Sequence, residues 1–153
     1  MIEDLMLEAK EALVKGDLVK SIEKFTEVLN EQPDNMIALF SRGIAYLKNK
    51  NYQEAIVDCD AYLKANPGNE KVICSRGNAY MALESYEKAL ADFNRALDLN
   101  PHYPTAYFSR SELLHRAGES EQAEEDEMTG NKIQKQLSRA YYESQGFMFD
   151  DIQ

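Results

Sequence analysis

The sequence predicts an all-α protein built from a repeated helix–turn–helix unit, and three observations support this. Several residue types recur at one constant interval of 34 residues, as from Pro33 to Pro67. A period of this length indicates stacked repeats. Apolar residues within one interval follow the spacing of an amphipathic helix. Polar or proline-containing stretches separate the helical segments, which indicates where each helix ends.

The period is carried by proline, glycine, tyrosine and alanine. Pro33, Pro67 and Pro101 are equally spaced along the chain. The segments 41–46 and 75–80 are nearly the same motif, and a third, weaker copy begins at residue 109. Further pairs at the same interval are Gly43 and Gly77, Tyr46 and Tyr80, Tyr52 and Tyr86, and Ala55 and Ala89. Agreement among several residue types excludes coincidence.

The second interval shows the unit most clearly. Its first helix is predicted over about residues 36–48, with Asp34 or Asn35 as the N-cap. A second helix is predicted over about residues 52–65 and ends before Pro67. The apolar positions of the first helix are Ile37, Phe40, Ile44 and Leu47, and those of the second are Ala55, Ile56, Cys59, Tyr62 and Leu63. Gly43 and Ala55 leave room for the two helices to approach closely.

The same register predicts four units and a C-terminal extension. The repeats span about residues 2–34, 36–68, 70–102 and 104–130, the last of them imperfect, so residues 1–130 form the repeat domain. Ile133, Leu137, Ala140 and Tyr141 predict an amphipathic helix over about residues 131–144. This helix would cap the open end of the stack, and residues 131–153 are therefore expected to be a capping helix and tail.

These residues resemble the tetratricopeptide repeat family, whose unit is a 34-residue pair of antiparallel helices. The residues that match are Gly43, Tyr46, Ala55 and Pro67 in one unit, and Gly77, Tyr80, Ala89, Phe93, Ala96 and Pro101 in the next. The terminal units depart from the pattern at Ala9, Ser21, Glu127 and Gly130. The resemblance implies a right-handed α-α superhelix, or solenoid, whose first helices line a concave surface.

One charge pattern tests this register from within the sequence. Arg42, Arg76 and Arg110 share one column of the first helices, and Asp58, Asp92 and Asp126 share one column of the second helices. The first unit carries Glu8 and Lys24 in these columns, with both signs reversed. A reversal that preserves opposite charge predicts an ion pair within each repeat. The alternative is an arginine track for an acidic ligand.

Composition limits the partners. The 153 residues carry a formal net charge of −10 and a pI near 4.7, so neither nucleic acid nor an anionic membrane surface is an expected partner. No apolar stretch is long enough to span a bilayer, and the N-terminus lacks the basic flank of a signal peptide. Two cysteines are too few for a disulfide framework. A cytoplasmic location is expected.

Nothing in the sequence predicts catalysis. His102 and His115 lack any metal-binding spacing, and no glycine-rich phosphate loop is present. The acidic run 119–127 lacks the turn glycine of a calcium loop. Cys59 and Cys74 are interpreted as small packing residues, with reactivity left open. The protein is therefore expected not to be an enzyme and to hold neither a metal nor another cofactor.

The resemblance instead implies a peptide-binding groove on the first helices. By register its columns hold Met6, Lys10, Phe40, Ser41, Ile44, Leu47, Lys71, Cys74, Asn78, Met81, Phe108, Glu112 and His115. The alternative for the large apolar members is burial in helix contacts. Some relatives clamp a C-terminal carboxylate with two lysines, two asparagines and an arginine. Here those columns carry Met6, Lys10, Ser41, Lys71 and Ser75, so no such clamp is expected.

The resulting expectation is a non-catalytic adaptor or scaffold that binds a protein or peptide segment in its groove. One alternative is a small acidic chaperone for a secreted or aggregation-prone client. Another is a self-assembling structural module. The C-terminal sequence Phe147-Met148-Phe149 is unusually apolar, so the tail is expected either to pack on the last helix or to dock in its own groove or that of a neighbouring molecule.

Overall fold

The computed structural model describes residues 1–148, which contain eight α-helices and no strand. The helices are α1 (Ile2–Lys15), α2 (Leu18–Glu31), α3 (Met36–Lys48), α4 (Tyr52–Ala65), α5 (Glu70–Ala82), α6 (Tyr86–Leu99), α7 (Pro104–Arg116) and α8 (Ser120–Ser144). Consecutive helices pack in four pairs, and each pair packs on the next. The first helices α1, α3, α5 and α7 also contact one another in order. The predicted helical-repeat fold is confirmed.

Side-chain caps begin three of the helices. The side chain of Asp17 accepts a hydrogen bond from the backbone N–H of Lys20 at 3.2 Å. Asn35 caps α3 by accepting from Ala38 at 3.0 Å, and the side chain of Asn69 does the same for the first turn of α5. Each cap satisfies an N–H group that has no partner inside the helix.

The turn within each repeat has the same backbone conformation. A residue with positive φ stands at positions 16, 50, 84 and 118, each one repeat period after the last: Gly16 (80°), Lys50 (64°), Glu84 (60°) and Gly118 (80°). The residue that follows each of them donates its N–H to the carbonyl five residues earlier at 2.9 Å. This is the Schellman ending of a helix. Only the two terminal repeats place glycine, which adopts this conformation without strain.

Exchanging residues at this turn should shift stability in opposite directions. Glu84→Gly should raise the free energy of unfolding by about 1 kcal/mol, because it relieves a left-handed non-glycine residue. Gly118→Ala should lower it by a similar amount, about 1 kcal/mol. Urea denaturation followed by circular dichroism measures both changes. A shift of the same sign in the two variants would contradict this account of the turn.

Small residues bring the paired helices together, as the sequence predicts. Gly43 lies on Asp58, and Gly77 lies against the ring of Phe93, which is fully buried. In the terminal repeats a serine hydroxyl occupies this contact and binds a carbonyl of the facing helix. Ser21 donates to Ala9 at 3.0 Å, and Ser111 donates to Ala123 at 2.8 Å.

The separate capping helix expected from residue 131 is not observed. Instead, α8 is one continuous helix of 25 residues, so no helix break divides the chain near residue 130. The physical reason lies at Gly130, which is buried inside α8 beneath the ring of Phe108. The repeat register predicts that the last unit ends at residue 130, whereas a glycine in close contact with a facing ring does not interrupt α8.

The outer face of α8 is polar where earlier second helices are apolar. Ile56 and Leu63 occupy columns through which one repeat packs on the next. The equivalent positions of α8, each two periods later, are Glu124 and Asn131, and both are exposed. A polar outer face offers no apolar surface on which a fifth helix pair could pack, and such a face is typical of a terminal repeat.

Helix α8 ends in a Schellman turn at Gly146 (φ 89°). The N–H of Phe147 binds the carbonyl of Tyr142 at 3.1 Å, and their rings lie edge to face with centroids 6.0 Å apart. The first aromatic residue of the tail therefore packs on the last helix, as one of the two expectations had it. Phe149 and the rest of the tail lie outside the described residues, and docking of the tail in a groove is not tested there.

Candidate peptide-binding surface

The predicted groove residues lie on the adjacent helices α1, α3, α5 and α7 and fall into three classes of exposure. Exposed are Lys10, Lys71, Glu112 and His115. Half-buried are Met6, Phe40, Ser41, Ile44, Leu47, Asn78 and Phe108. Buried are Cys74 and Met81. All of the predicted residues except Cys74 and Met81 therefore keep accessible surface.

Cys74 and Met81 cannot contact a ligand, which corrects the prediction for both. Cys74 is 1% exposed and Met81 6%, and both belong to the main apolar core. The sulfur of Cys74 lies 4.0 Å from the hydroxyl oxygen of Ser109 on the next first helix. The repeat register predicts both side chains on the surface, whereas the structure packs both into the apolar core.

Phe40 and Phe108, which share a column with Cys74, each contact the second helix of their own repeat. The ring centroid of Phe40 lies 6.1 Å from that of Tyr62. A Cβ atom built on Gly130 would lie 2.8 Å from the ring of Phe108. Phe108 is half-buried and packs between α7 and α8, which agrees with the alternative of a helix contact. Its role as a groove anchor stays a prediction.

The accessible remainder is a mixed surface, which we call the first-helix surface. It consists of Met6, Lys10, Ser41, Ile44, Leu47, Lys71, Ser75, Asn78, Glu112 and His115. Ile44 and Leu47 provide half-buried apolar area near its middle. The Asn78 side chain makes no hydrogen bond within residues 1–148 and can both donate and accept. Such a surface suits a segment with apolar anchors and a polar backbone.

The arginine and aspartate columns form bidentate ion pairs in three repeats. Arg42 donates to both carboxylate oxygens of Asp58 at 2.8 and 2.6 Å. Arg76 and Asp92 are joined at 3.0 and 2.8 Å, and Arg110 and Asp126 at 2.7 Å twice. Hydrogen bonding to the carboxylate raises the pKa of each arginine. Because the three aspartates are buried, these pairs are not loose surface contacts.

The first repeat carries a weaker version of the pair. The Lys24 ammonium lies 4.0 Å from Glu8 and 2.9 Å from Glu27 on its own helix. The hydrogen bond to Glu27 raises the pKa of Lys24 more than any other contact does. Glu8 and Lys24 thus form the predicted pair with reversed charges, but their separation is at the upper limit for an ion pair.

Each arginine also reaches back to the preceding repeat, which the sequence analysis did not find. Arg42 donates to Thr26 at 3.1 Å, Arg76 to Asp60 at 2.9 Å, and Arg110 to Asn94 at 3.0 Å. The signal was present, because these three acceptors are themselves one repeat period apart. The guanidinium groups therefore fasten successive repeats and leave few donors for an acidic ligand.

Both cysteines are packing residues. Burial raises the pKa of the Cys59 thiol to about 12 and that of the Cys74 thiol to about 11. A thiol with such a pKa is almost entirely protonated at neutral pH and is a poor nucleophile. Within residues 1–148, no three His, Cys, Asp or Glu side chains cluster in a way that could hold a metal ion.

Comparison with known proteins gives the family. The model described as "Tetratricopeptide repeat" matches residues 6–70, and the one described as "TPR repeat" matches residues 77–118. The chain belongs to the tetratricopeptide repeat family. A search of curated proteins found no match. As a tetratricopeptide repeat protein, the chain is a protein-interaction module of a generally non-catalytic type, and the fold indicates protein partners.

Solved structures with the same fold include several MamA proteins. A structure titled MamA 41-end from Desulfovibrio magneticus RS-1 aligns with a TM-score of 0.81 at 23% identity, over 89% of this chain and 77% of that one. A crystal structure titled MamA protein gives 0.76 at 23% identity, over 95% and 82%. MamA MSR-1 gives 0.75 at 20% identity, over 90% and 79%. The TM-scores show that this chain shares the fold of these proteins.

The part of the chain that the structure describes contains no helix both long and apolar enough to cross a membrane. The longest, α8, has many charged residues along its 25 positions. The acidic run 119–127 begins at the N-cap of α8 and continues through its first two turns. Its residues are exposed except for Ala123 and Asp126, which are buried.

Proposed function

We propose that this protein is a non-catalytic adaptor that binds a peptide segment of a partner on the first-helix surface. The observation that supports this best is the half-buried apolar pair Ile44 and Leu47 on α3, with the polar groups of Asn78 and Lys71 on the adjacent first helix α5. The apolar pair supplies anchoring area, and the polar groups bind the peptide backbone. The core arginines are already engaged with aspartates.

The ligand is not held by its C-terminal carboxylate. Of the five clamp columns, those of Met6, Ser41 and Ser75 carry no side-chain cation. Ser75 instead donates its hydroxyl to the carbonyl of Lys71 at 2.8 Å. Lys71 and Lys10 remain as separate exposed cations, whereas a desolvated carboxylate needs a convergent set of donors. An internal segment of the partner is therefore the proposed ligand.

A selected peptide tests this function. A random peptide library displayed on phage would be selected on the intact protein, and the best peptide measured by isothermal titration calorimetry. Ile44→Glu should weaken binding at least tenfold, because it places a charge within the apolar anchor. Val57→Glu is the matched control, since Val57 lies on the second helix α4 and is 64% exposed.

The two variants separate the possible outcomes. Unchanged affinity in Val57→Glu with the loss in Ile44→Glu supports the first-helix surface. Equal affinities of the two variants would contradict it. A peptide whose binding is abolished by C-terminal amidation would contradict the proposed absence of a carboxylate clamp.

Self-assembly is a second candidate, favoured by apolar side chains on the last turns of α8. Leu137 is 51% exposed and Tyr141 62% exposed, and in the adjoining tail Phe147 is 60% exposed and Met148 92% exposed. Contact with a second copy would cover this surface. Light scattering of the full chain and of a chain ending at Ser144 tests the role of the tail. Conversion from oligomer to monomer on deletion supports self-assembly, and a monomeric full chain at high concentration would exclude it.

A further inference from the structure

A cleft separates the third and fourth repeats at a place unrelated to the first-helix surface. It comprises two adjoining cavities of about 430 and 180 Å³ that share Leu90, Leu114 and Glu119. Side chains of α6, α7 and α8 line it, and the smaller cavity is bounded largely by apolar atoms of Tyr86, Leu90, Leu113 and Leu114. We call it the repeat 3/4 cleft. None of the groove residues lies in its wall.

Three shortened side chains explain why the cleft opens here. At the junction of the second and third repeats, Tyr80 and Leu83 pack on Ile56, and the ammonium of Lys88 lies 5.5 Å from the centre of the Tyr80 ring. The residues one period later are Leu114, Ala117 and Gln122, and all three line the cleft.

The shorter side chains at the junction of the third and fourth repeats leave part of the apolar surface of α6 uncovered. Ile56 is 7% exposed and belongs to the cluster against which Tyr80 packs. Its counterpart Leu90 is only half-buried and lines both cavities. The largest group missing relative to the preceding junction is the aromatic ring that Tyr80 supplies there. Arg76 and Lys88 lie over the Tyr80 ring, and their counterparts Arg110 and Gln122 line the larger cavity. The space of the missing ring therefore lies where the two cavities adjoin, at Leu90 and Leu114.

The rim of the cleft is acidic. Glu87, Glu119 and Glu125 are exposed and form no ion pair within residues 1–148. The cations nearby are already engaged, because Arg110 binds Asp126 and Arg116 binds Glu112. An entering group therefore meets unpaired negative charge around an apolar interior, and the chain as a whole carries a net charge of −10.

We propose that the repeat 3/4 cleft binds a basic peptide segment of a partner protein through one aromatic anchor. The ring would occupy the space that Tyr80 fills at the preceding junction, where an aromatic side chain already packs on the equivalent residues. Lysine or arginine residues on either side of the anchor would pair with Glu87, Glu119 and Glu125. This site is independent of the first-helix surface and adds a second point of attachment.

A synthetic probe tests the proposal directly. The probe is a peptide with blocked ends that has one tryptophan between two pairs of lysines, titrated into the ¹⁵N-labelled full chain. Amide shifts are expected around Leu90, Leu114 and Glu119. Replacing the tryptophan by alanine should weaken binding at least tenfold, and replacing the lysines by glutamates should abolish it. Affinity should fall as salt is added, because the charge pairs are exposed.

Substitutions in the protein complete the test. Leu114→Tyr restores the ring of the preceding junction and should weaken the probe at least tenfold while the melting temperature stays constant or rises. Ala117→Leu fills the same space if Leu114→Tyr fails to fold. Ala82→Leu, on the exposed end of α5, is the matched control and should leave binding unchanged.

Four outcomes would overturn the proposal. They are equal binding of the tryptophan and alanine peptides, full affinity in both filled variants, shifts confined to the first-helix surface, and shifts around Leu90 that depend on protein concentration without the probe. The last would indicate that a second copy of the chain occupies the cleft.

Discussion

Replacing Arg42 by methionine should lower the free energy of unfolding by about 3 kcal/mol. The substitution leaves the Asp58 carboxylate without its two donors, and the Asp58 residue is only 2% exposed. It also removes the hydrogen bond to Thr26 that joins the second repeat to the first. Chemical denaturation at neutral pH, followed by circular dichroism, measures the change.

Two further variants separate the ion pair from general packing. Glu8→Gln alters the equivalent column of the first repeat, where the lysine lies 4.0 Å away and has Glu27 as its nearer partner. The expected loss there is less than about 0.5 kcal/mol. The double variant Arg42→Met/Asp58→Leu removes both charges and should recover most of the stability lost in Arg42→Met. Similar losses in Arg42→Met and Glu8→Gln would contradict the burial argument.

Gly77→Ala should destabilise the protein by about 2 kcal/mol. The added Cβ atom would lie 2.7 Å from the Phe93 ring and 3.0 Å from the Cβ of Asp92. Phe93 is 0% exposed, so its ring has no free space to move into. The two helices of the third repeat must therefore separate, which also strains the Arg76–Asp92 pair.

Gly43→Ala is the matched control because the same column is less crowded in the second repeat. Its added Cβ atom would lie 3.5 Å from the Cβ of Asp58 and 3.8 Å from the sulfur of Cys59, which are ordinary contacts. Alanine is the better helix former, so this variant should gain about 0.5–1 kcal/mol. Urea denaturation of both variants decides the matter, and a larger loss for Gly43→Ala than for Gly77→Ala would contradict the packing account.

The repeated unit could be predicted from the sequence because its signals are local and recur. Pro67, Gly77 and Tyr80 each have a counterpart one period away, and the reversed signs at Glu8 and Lys24 indicated which columns face each other. The column of positive φ at positions 16, 50, 84 and 118 was missed, since Lys50 and Glu84 are not the residues expected in such a turn. Backbone conformation outweighed residue preference there.

The surface was harder to predict because exposure depends on the neighbouring repeat. Phe40, Cys74 and Phe108 share one column, yet Cys74 is buried and Phe108 packs over Gly130. The full length of α8 was not predicted, because the repeat period ends the fourth unit at residue 130 while the helix continues to Ser144. The repeat 3/4 cleft was not predicted. Its side chains are shorter than their counterparts in the preceding repeat, but whether the space between two repeats stays open depends on how the repeats pack.

The most direct test of the proposed function is to map the selected peptide on the full chain by NMR. Binding on the first helices should perturb the amides of Ile44, Leu47 and Asn78, and the perturbation should disappear in Ile44→Glu while it persists in Val57→Glu. Perturbation confined to the second helices, with Ile44 and Asn78 unaffected, would contradict the assignment of the first-helix surface as the binding site.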